Sequence, residues 1–146
     1  MPANTAPIYP IVWDPSTDSG TGMATDILTA TGDYTGISAN HRLVHTAWAN
    51  GTIVRYLQFK AKGTNTASVA RIYLNNGSTN ATATNNSFFD EISLPWTTAS
   101  NTAATQTITY AFPWNGVPLP AGWRVYVWVA TTVAAWWVCT CIAWEY

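Results

Sequence analysis

Residues 52–75 read TIVRYLQFKAKGTNTASVARIYLN. From Thr52 to Lys62 the apolar residues alternate with polar ones, placing Ile53, Leu57, Phe59 and Ala61 on one face. A period of two is a strand's signature, because successive side chains point to opposite faces of a sheet. Arg55 falls on that same face, so either a bulge near Val54 or an end where the strand emerges is expected. Gly63–Thr66 supplies a turn, and Ser68–Asn75 alternates again with Ala70, Ile72 and Leu74 inward.

The same unit of strand and turn recurs in both directions. Asn50-Gly51 marks a tight turn, preceded by a short strand at Arg42–Thr46 and a further one at Met23–Thr31. Downstream come a polar loop at Asn76–Asn86, a strand at Phe88–Leu94 and a loop at Pro95–Asn101. Thr105–Phe112 sets Gln106, Ile108, Tyr110 and Phe112 against a threonine face, and Pro113–Gly122 reads as a rigid loop. Trp123–Thr131 places Trp123, Val125, Val127 and Val129 together, and Ala135–Tyr146 closes the series. No segment carries an apolar helical stripe with caps. The expected fold is all-β: a single jelly-roll-like antiparallel β-sandwich of about eight strands.

Residues 1–22 read as an extended N-terminal arm ahead of a β-sandwich domain at 23–146. Pro2, Pro7, Pro10 and Pro15 deny the arm helix and central-strand structure. Its Ile8, Tyr9, Ile11, Val12 and Trp13 are too apolar to be left in water, which makes them candidate docking residues. Two targets are open, a neighbouring subunit or the chain's own sandwich as an added edge strand.

The chain has 146 residues, enough for one domain with one sizeable core. Charged residues make up 9%, against roughly a quarter in an average soluble domain. Six Lys/Arg against seven Asp/Glu provide no basic cluster, which excludes an electrostatic nucleic-acid binder and a polybasic membrane-surface protein. With 48% hydrophobic residues the chain is not disordered by composition. The N-terminus lacks the basic and apolar regions of a secretory signal, so synthesis and folding in a reducing cytoplasm are expected. Cys139 and Cys141 lie two apart in a strand, about 6.5 Å between Cα atoms, and are expected as two buried thiols without a disulfide.

Candidate chemistry is sparse. Asp18-Ser19-Gly20 matches an aspartic-protease tripeptide but sits in the arm without flanking apolar strands. Asp14, Ser16 and Asp18 have the opening spacing of a calcium loop, without its glycine and closing glutamate at the required positions. His41 and His45 lie about 13 Å apart on a strand and read as ordinary hydrogen-bonded histidines. Asp90 and Glu91 are adjacent on a strand and point to opposite faces. No cofactor, metal or catalytic set is expected, and the chain is read as a non-enzyme. Six of its nine tryptophans fall between Trp114 and Trp144. They serve either core packing with oligomer contact or a carbohydrate platform, because exposed indole faces stack on sugar rings. Trp128 and Trp136 lie off the run of Val125, Val127 and Val129 and are the candidate exposed aromatic contacts.

From Ala49 onward the chain resembles small virion proteins of tailed bacteriophages, the capsid decoration or cement proteins. The resembling elements are Ala49-Asn-Gly-Thr-x-Val54, Phe59-Lys-Ala-x-Gly63-Thr64, Val69-Ala-Arg71-Ile-Tyr-Leu74-Asn-Asn-Gly77, Phe88-Phe-Asp90-Glu91-Ile92, Leu119-Pro-Ala-Gly122 and the final Glu145-Tyr146. Pro7-Ile-Tyr-Pro10 resembles the group's extended lead-in, while the tryptophan enrichment and Cys139-Thr-Cys141 depart from it. The resemblance implies a jelly-roll-like subunit, made in the host bacterial cytoplasm, that assembles as homotrimers. It would sit on the capsid surface of the virion with the major capsid protein as partner. The alternative of a different class is a carbohydrate-binding module or tail-fibre adhesin using exposed Trp.

Overall fold

Alternation over β-branched and aromatic residues, broken by Asn-Gly and Pro-Ala-Gly turns, yields ten strands among the described residues. The computed structural model describes residues 13–14, 25–27, 34, 36–37 and 40–145. The strands are β1 (Trp13–Asp14), β2 (Thr25–Ile27), β3 (Arg42–Thr46), β4 (Thr52–Ala61) and β5 (Ser68–Asn75). They continue with β6 (Asn86–Leu94), β7 (Thr107–Ala111), β8 (Val117–Leu119), β9 (Arg124–Val129) and β10 (Trp137–Glu145). Helical structure among the described residues is confined to 3-10 turns at Ala83–Asn85 and Pro113–Asn115. β3 and β5 have the expected bounds, and β2 is the described portion of the strand expected over 23–31.

Every strand pairing is antiparallel. One sheet runs β1-β10-β4-β7, with β2 also on β10 and β8 also on β4; the other runs β3-β9-β5-β6. With β1 and β8 set aside, eight strands remain. In chain order they lie first-eighth-third-sixth in one sheet and second-seventh-fourth-fifth in the other. The chain thus passes between the sheets at most of its connections, which is the winding of a jelly roll.

Between the sheets, Val54, Leu57 and Phe59 of β4 and Cys139, Cys141 and Ala143 of β10 face Ala70 and Ile72 of β5 and Val125, Val127 and Val129 of β9. All of them are fully buried. The expected inward set on β4 is corrected at one position. Arg55 is an extra residue in the pairing with β10, where Ile142 opposes Tyr56 and Ala143 opposes Val54. That bulge shifts the phase of alternation, turning Val54 into the core and Ile53 outward.

The bulge also marks a change of neighbour. β4 pairs with β8 over Thr52–Val54 and with β7 over Tyr56–Lys60. Between them the chain leaves the sheet at Phe112, whose N–H donates to the Arg55 carbonyl at 2.9 Å. β8 lies inside the segment expected as a loop; Pro118 is tolerated there because β8 is a short strand at the sheet edge. Where β6 and β7 approach across the sandwich, the Tyr110 hydroxyl donates to Asp90 Oδ2 at 2.7 Å and the Phe89 and Phe112 rings pack at 5.4 Å.

Candidate binding surfaces

Trp128 points away from the sandwich core, as its strand position requires, but it is not exposed. Its relative accessibility is 0%. His41 stacks on one side with 3.7 Å between centroids and 11° between planes, and Tyr73 packs at 3.7 Å and 21°. Tyr126 and Leu43 complete a second apolar cluster on the outer face of the β3-β9-β5-β6 sheet. Gly36 lies against this cluster: a Cβ there would come within 3.2 Å of both Tyr73 Cε1 and Asn86 Cβ, and its φ is +75°. Asn86 Nδ2 donates to the Gly36 carbonyl at 2.8 Å and holds that passage in place. At the rim, the buried Arg71 guanidinium lies 3.8 Å from the Tyr34 ring centroid and 3.5 Å from Glu91. The expectation that Trp128 is an exposed contact is therefore corrected, because alternation gives a side chain's direction and not what covers it.

Four other tryptophans are open to solvent. At the end of the sandwich where β4 begins, Trp114 is 87% exposed and Trp48 is 53% exposed. At the opposite end Trp96 is 70% and Trp136 is 46% exposed. Trp136 is open to solvent, as its position off the Val125-Val127-Val129 run suggested. Trp48, Trp96 and Trp114 were not singled out by strand alternation; they sit in connections, as does Trp136, just ahead of β10. The usable signal is local: Pro95 precedes Trp96, and Trp114 stands between Pro113 and Asn115-Gly116. These turn-forming neighbours hold a large ring away from a pleated surface.

Trp114 is held out by a built loop. Phe112 is buried against Phe89 and Tyr110, and the Gly116 N–H closes a turn on the Pro113 carbonyl at 3.0 Å. Trp114 and Asn115 both adopt the left-handed region, with φ of 54° and 64°. A bulky residue there is an outlier that surrounding structure must impose. Arg55 braces the turn: its guanidinium donates to Asn115 Oδ1, and it lies 4.9 Å from the Trp144 ring centroid. Gly116, at φ 126°, lies where a Cβ would come 2.5 Å from Ile53 Cγ2 and 2.8 Å from Arg55 Cδ.

At the opposite end, strand register brings Asp26 of β2, Val138 of β10, Lys60 of β4 and Thr107 of β7 onto one outer sheet face. The Lys62 ammonium pairs with Asp26 at 2.7 Å and lies 5.4 Å from the Trp136 ring centroid. The Lys62 N–H donates to the Trp136 carbonyl at 2.8 Å, and a Cβ on Gly63 would lie 2.7 Å from Ala135 Cβ, so the two connections are pressed together. Beside Lys62 opens a cavity of about 350 Å3, walled by Lys60, Ser100, Asn101 and Thr105 among others. A second cavity of about 260 Å3 lies between Trp96, Thr98 and Gln106. Both cavities share Ala104 and Thr105, so one low ridge separates them.

Among the described residues the remaining candidates do not come together. His41, just ahead of β3, is in the aromatic stack, and His45 is buried on β3. Asp90 accepts from Tyr110 while Glu91 faces Arg71 on the other side of β6. Cys139 and Cys141 are buried free thiols, as expected; burial, and then the neighbouring Cys141, push the Cys139 thiol well above its usual range. Among the described residues no three His, Cys, Asp or Glu side chains are grouped to hold a metal. Of the candidate docking arm, Trp13 lies on β1, which pairs with Trp144 and Ala143 of the chain's own β10. Ile8, Tyr9, Ile11 and Val12 lie outside the described residues, as does Asp18-Ser19-Gly20. No protein-family model, curated protein or solved structure matches this chain.

Proposed function

We propose that this chain is a non-enzymatic structural protein of a bacteriophage virion, a capsid cement protein that binds the outside of the head lattice and stabilises it. One observation carries the reading most directly: tryptophans stand exposed on anchored connections at both ends of the sandwich in a chain with 9% charged residues. Protein interfaces are enriched in Trp and depleted of charge at their centres, and an aromatic anchor held in place loses little freedom on docking. Trp114 fits that role best, because its loop keeps it at positive φ and in water. The fold adds an analogy only, since jelly rolls serve viral coats and lectins alike.

In this reading the partners are copies of the chain in a homotrimer and the major capsid protein, and the subunit travels from the host cytoplasm to the capsid surface. Affinity accrues over many copies, each contributing a modest apolar area. Mass stoichiometry of purified particles tests it. Hundreds of copies over the head are expected, and Trp114→Ala lowers their occupancy. A handful of copies at the tail tip would overturn the reading in favour of an adhesin.

A further inference from the structure

The end of the sandwich that carries Trp96 and Trp136 has the chemistry of a different ligand. Trp96 lines the smaller of two cavities that share Ala104 and Thr105, and the Trp136 ring lies 5.4 Å from the ammonium of Lys62, which lines the larger. The cavity walls combine small apolar residues with neutral hydroxyl and amide groups, Ser100, Asn101, Thr98 and Gln106 among them. The charged groups nearby are already engaged. Lys62 is paired with Asp26, and the Lys60 ammonium donates to the Thr105 carbonyl and, at 3.3 Å, to the Thr107 hydroxyl. Such a site has little to hold a bare anion, and it is too polar for a purely apolar guest.

The geometry points to a groove for an oligosaccharide, running from Trp136 past Lys62 and over the Ala104-Thr105 ridge to Trp96. A pyranose presents an apolar C–H face and a rim of hydroxyls. The face covers an indole and releases water from it, while the rim exchanges hydrogen bonds with Ser100, Asn101, Thr98 and Gln106. Two plates separated by a ridge favour a chain of sugars over a single ring. The 350 Å3 cavity falls at the lower end of the range of small-ligand sites, roughly 300–1,000 Å3. The scaffold is set in advance, because the Asn65 side chain accepts from the Ala135 N–H at 2.6 Å and the Thr97 hydroxyl donates to the Gly63 carbonyl at 2.8 Å. This site lies at the opposite end from Trp114, so it adds to capsid attachment without competing for the same surface.

The full chain is screened on an array of neutral hexose and N-acetylhexosamine saccharides, from monosaccharides to longer oligomers, and the best binder is titrated by tryptophan fluorescence. Saturable binding is expected, stronger for oligomers than for the matching monosaccharide and unaffected by inorganic phosphate. Trp136→Ala and Trp96→Ala each weaken it about tenfold or more, Trp136→Tyr retains most of it, and Trp114→Ala leaves it unchanged. Unchanged melting temperatures establish that the variants are folded. Absence of binding across the array, competition by phosphate, or binding that survives loss of both indoles would overturn the groove. Head occupancy of the same variants is read separately, so failure of the capsid reading appears as empty heads whatever the saccharide result.

Discussion

Trp128 and Trp114 are the same residue type put to opposite uses. Trp128 projects from a central strand, and the residues around it supply aromatic rings on both of its faces. Trp114 projects from a turn, and its neighbours spend their interactions on holding the backbone in a left-handed conformation that keeps the ring in water. The first arrangement converts an outer sheet face into a second core. The second holds apolar area ready for something outside the subunit. The difference shows that tryptophan count alone says nothing about surface; what decides is whether the chain brings a partner ring of its own.

The widest gap between the two is expected in stability. Trp128→Ala should lower the unfolding free energy by about 3–5 kcal/mol, while Trp114→Ala should stay within about 0.5 kcal/mol, both read by denaturant titration. A small loss at Trp128 would mean that the outer stack is not a core at all. Next comes Tyr110→Phe, which removes the charge-assisted hydrogen bond to the solvent-exposed Asp90 carboxylate and should cost about 1.5 kcal/mol. Burial, followed by the hydrogen bond to Asp90, pushes the Tyr110 hydroxyl well above its ordinary pKa. The folded protein therefore holds that proton more tightly than the unfolded chain. Its contribution is fully present below about pH 10, the unfolded value, and is lost as pH rises beyond it. An alkaline unfolding midpoint that does not move in Tyr110→Phe would contradict this.

Effects of similar size or smaller sharpen the loop side of the comparison. Gly116→Ala should destabilise by about 1–3 kcal/mol, because the new methyl meets Ile53 and Arg55. Trp114→Gly should do the reverse and stabilise the isolated subunit by up to about 1 kcal/mol, since glycine adopts positive φ without steric cost. A thermal melt that falls for Trp114→Gly would show that the indole supports its own domain after all. Last, Cys139 and Cys141 should resist thiol reagents in the folded protein and react only on unfolding, as mass spectrometry of the labelled chain would record.

Period-two alternation was enough to bound β3 and β5 and to anticipate a bulge beside Arg55, because both follow from which side chains can enter one apolar layer. It misassigned Ile53 and Val54 because a bulge announces that the phase shifts and not where. It passed over β8, whose three residues include Pro118 and depend on an edge of β4 supplied from far away in sequence. The candidate surfaces were legible in part. Trp136 could be read as outward although it lies just ahead of β10, but the cover over Trp128 comes from His41, ahead of β3, and from Tyr73 on another strand, a meeting that carries no periodic signal. Likewise, Trp96 and Trp136 come to the same end of the sandwich only after the jelly roll has brought together connections lying between different pairs of strands.

The position of β10 has a consequence for how the protein is made. It is the last of the ten strands to be synthesised, yet it stands inside its sheet, with β1 and β2 along one side and β4 along the other. Until it leaves the ribosome, β4 has an unpaired side and the buried positions opposite Trp137, Cys139, Cys141 and Ala143 stay unfilled. Pairings of such long sequence separation form slowly and only after their loops close. The nascent chain must therefore wait in an open, aggregation-exposed state for most of its synthesis. A premature stop anywhere before Trp137 would release a polypeptide with one sheet lacking its middle, which quality control would meet as an unfolded chain and not as a shortened domain.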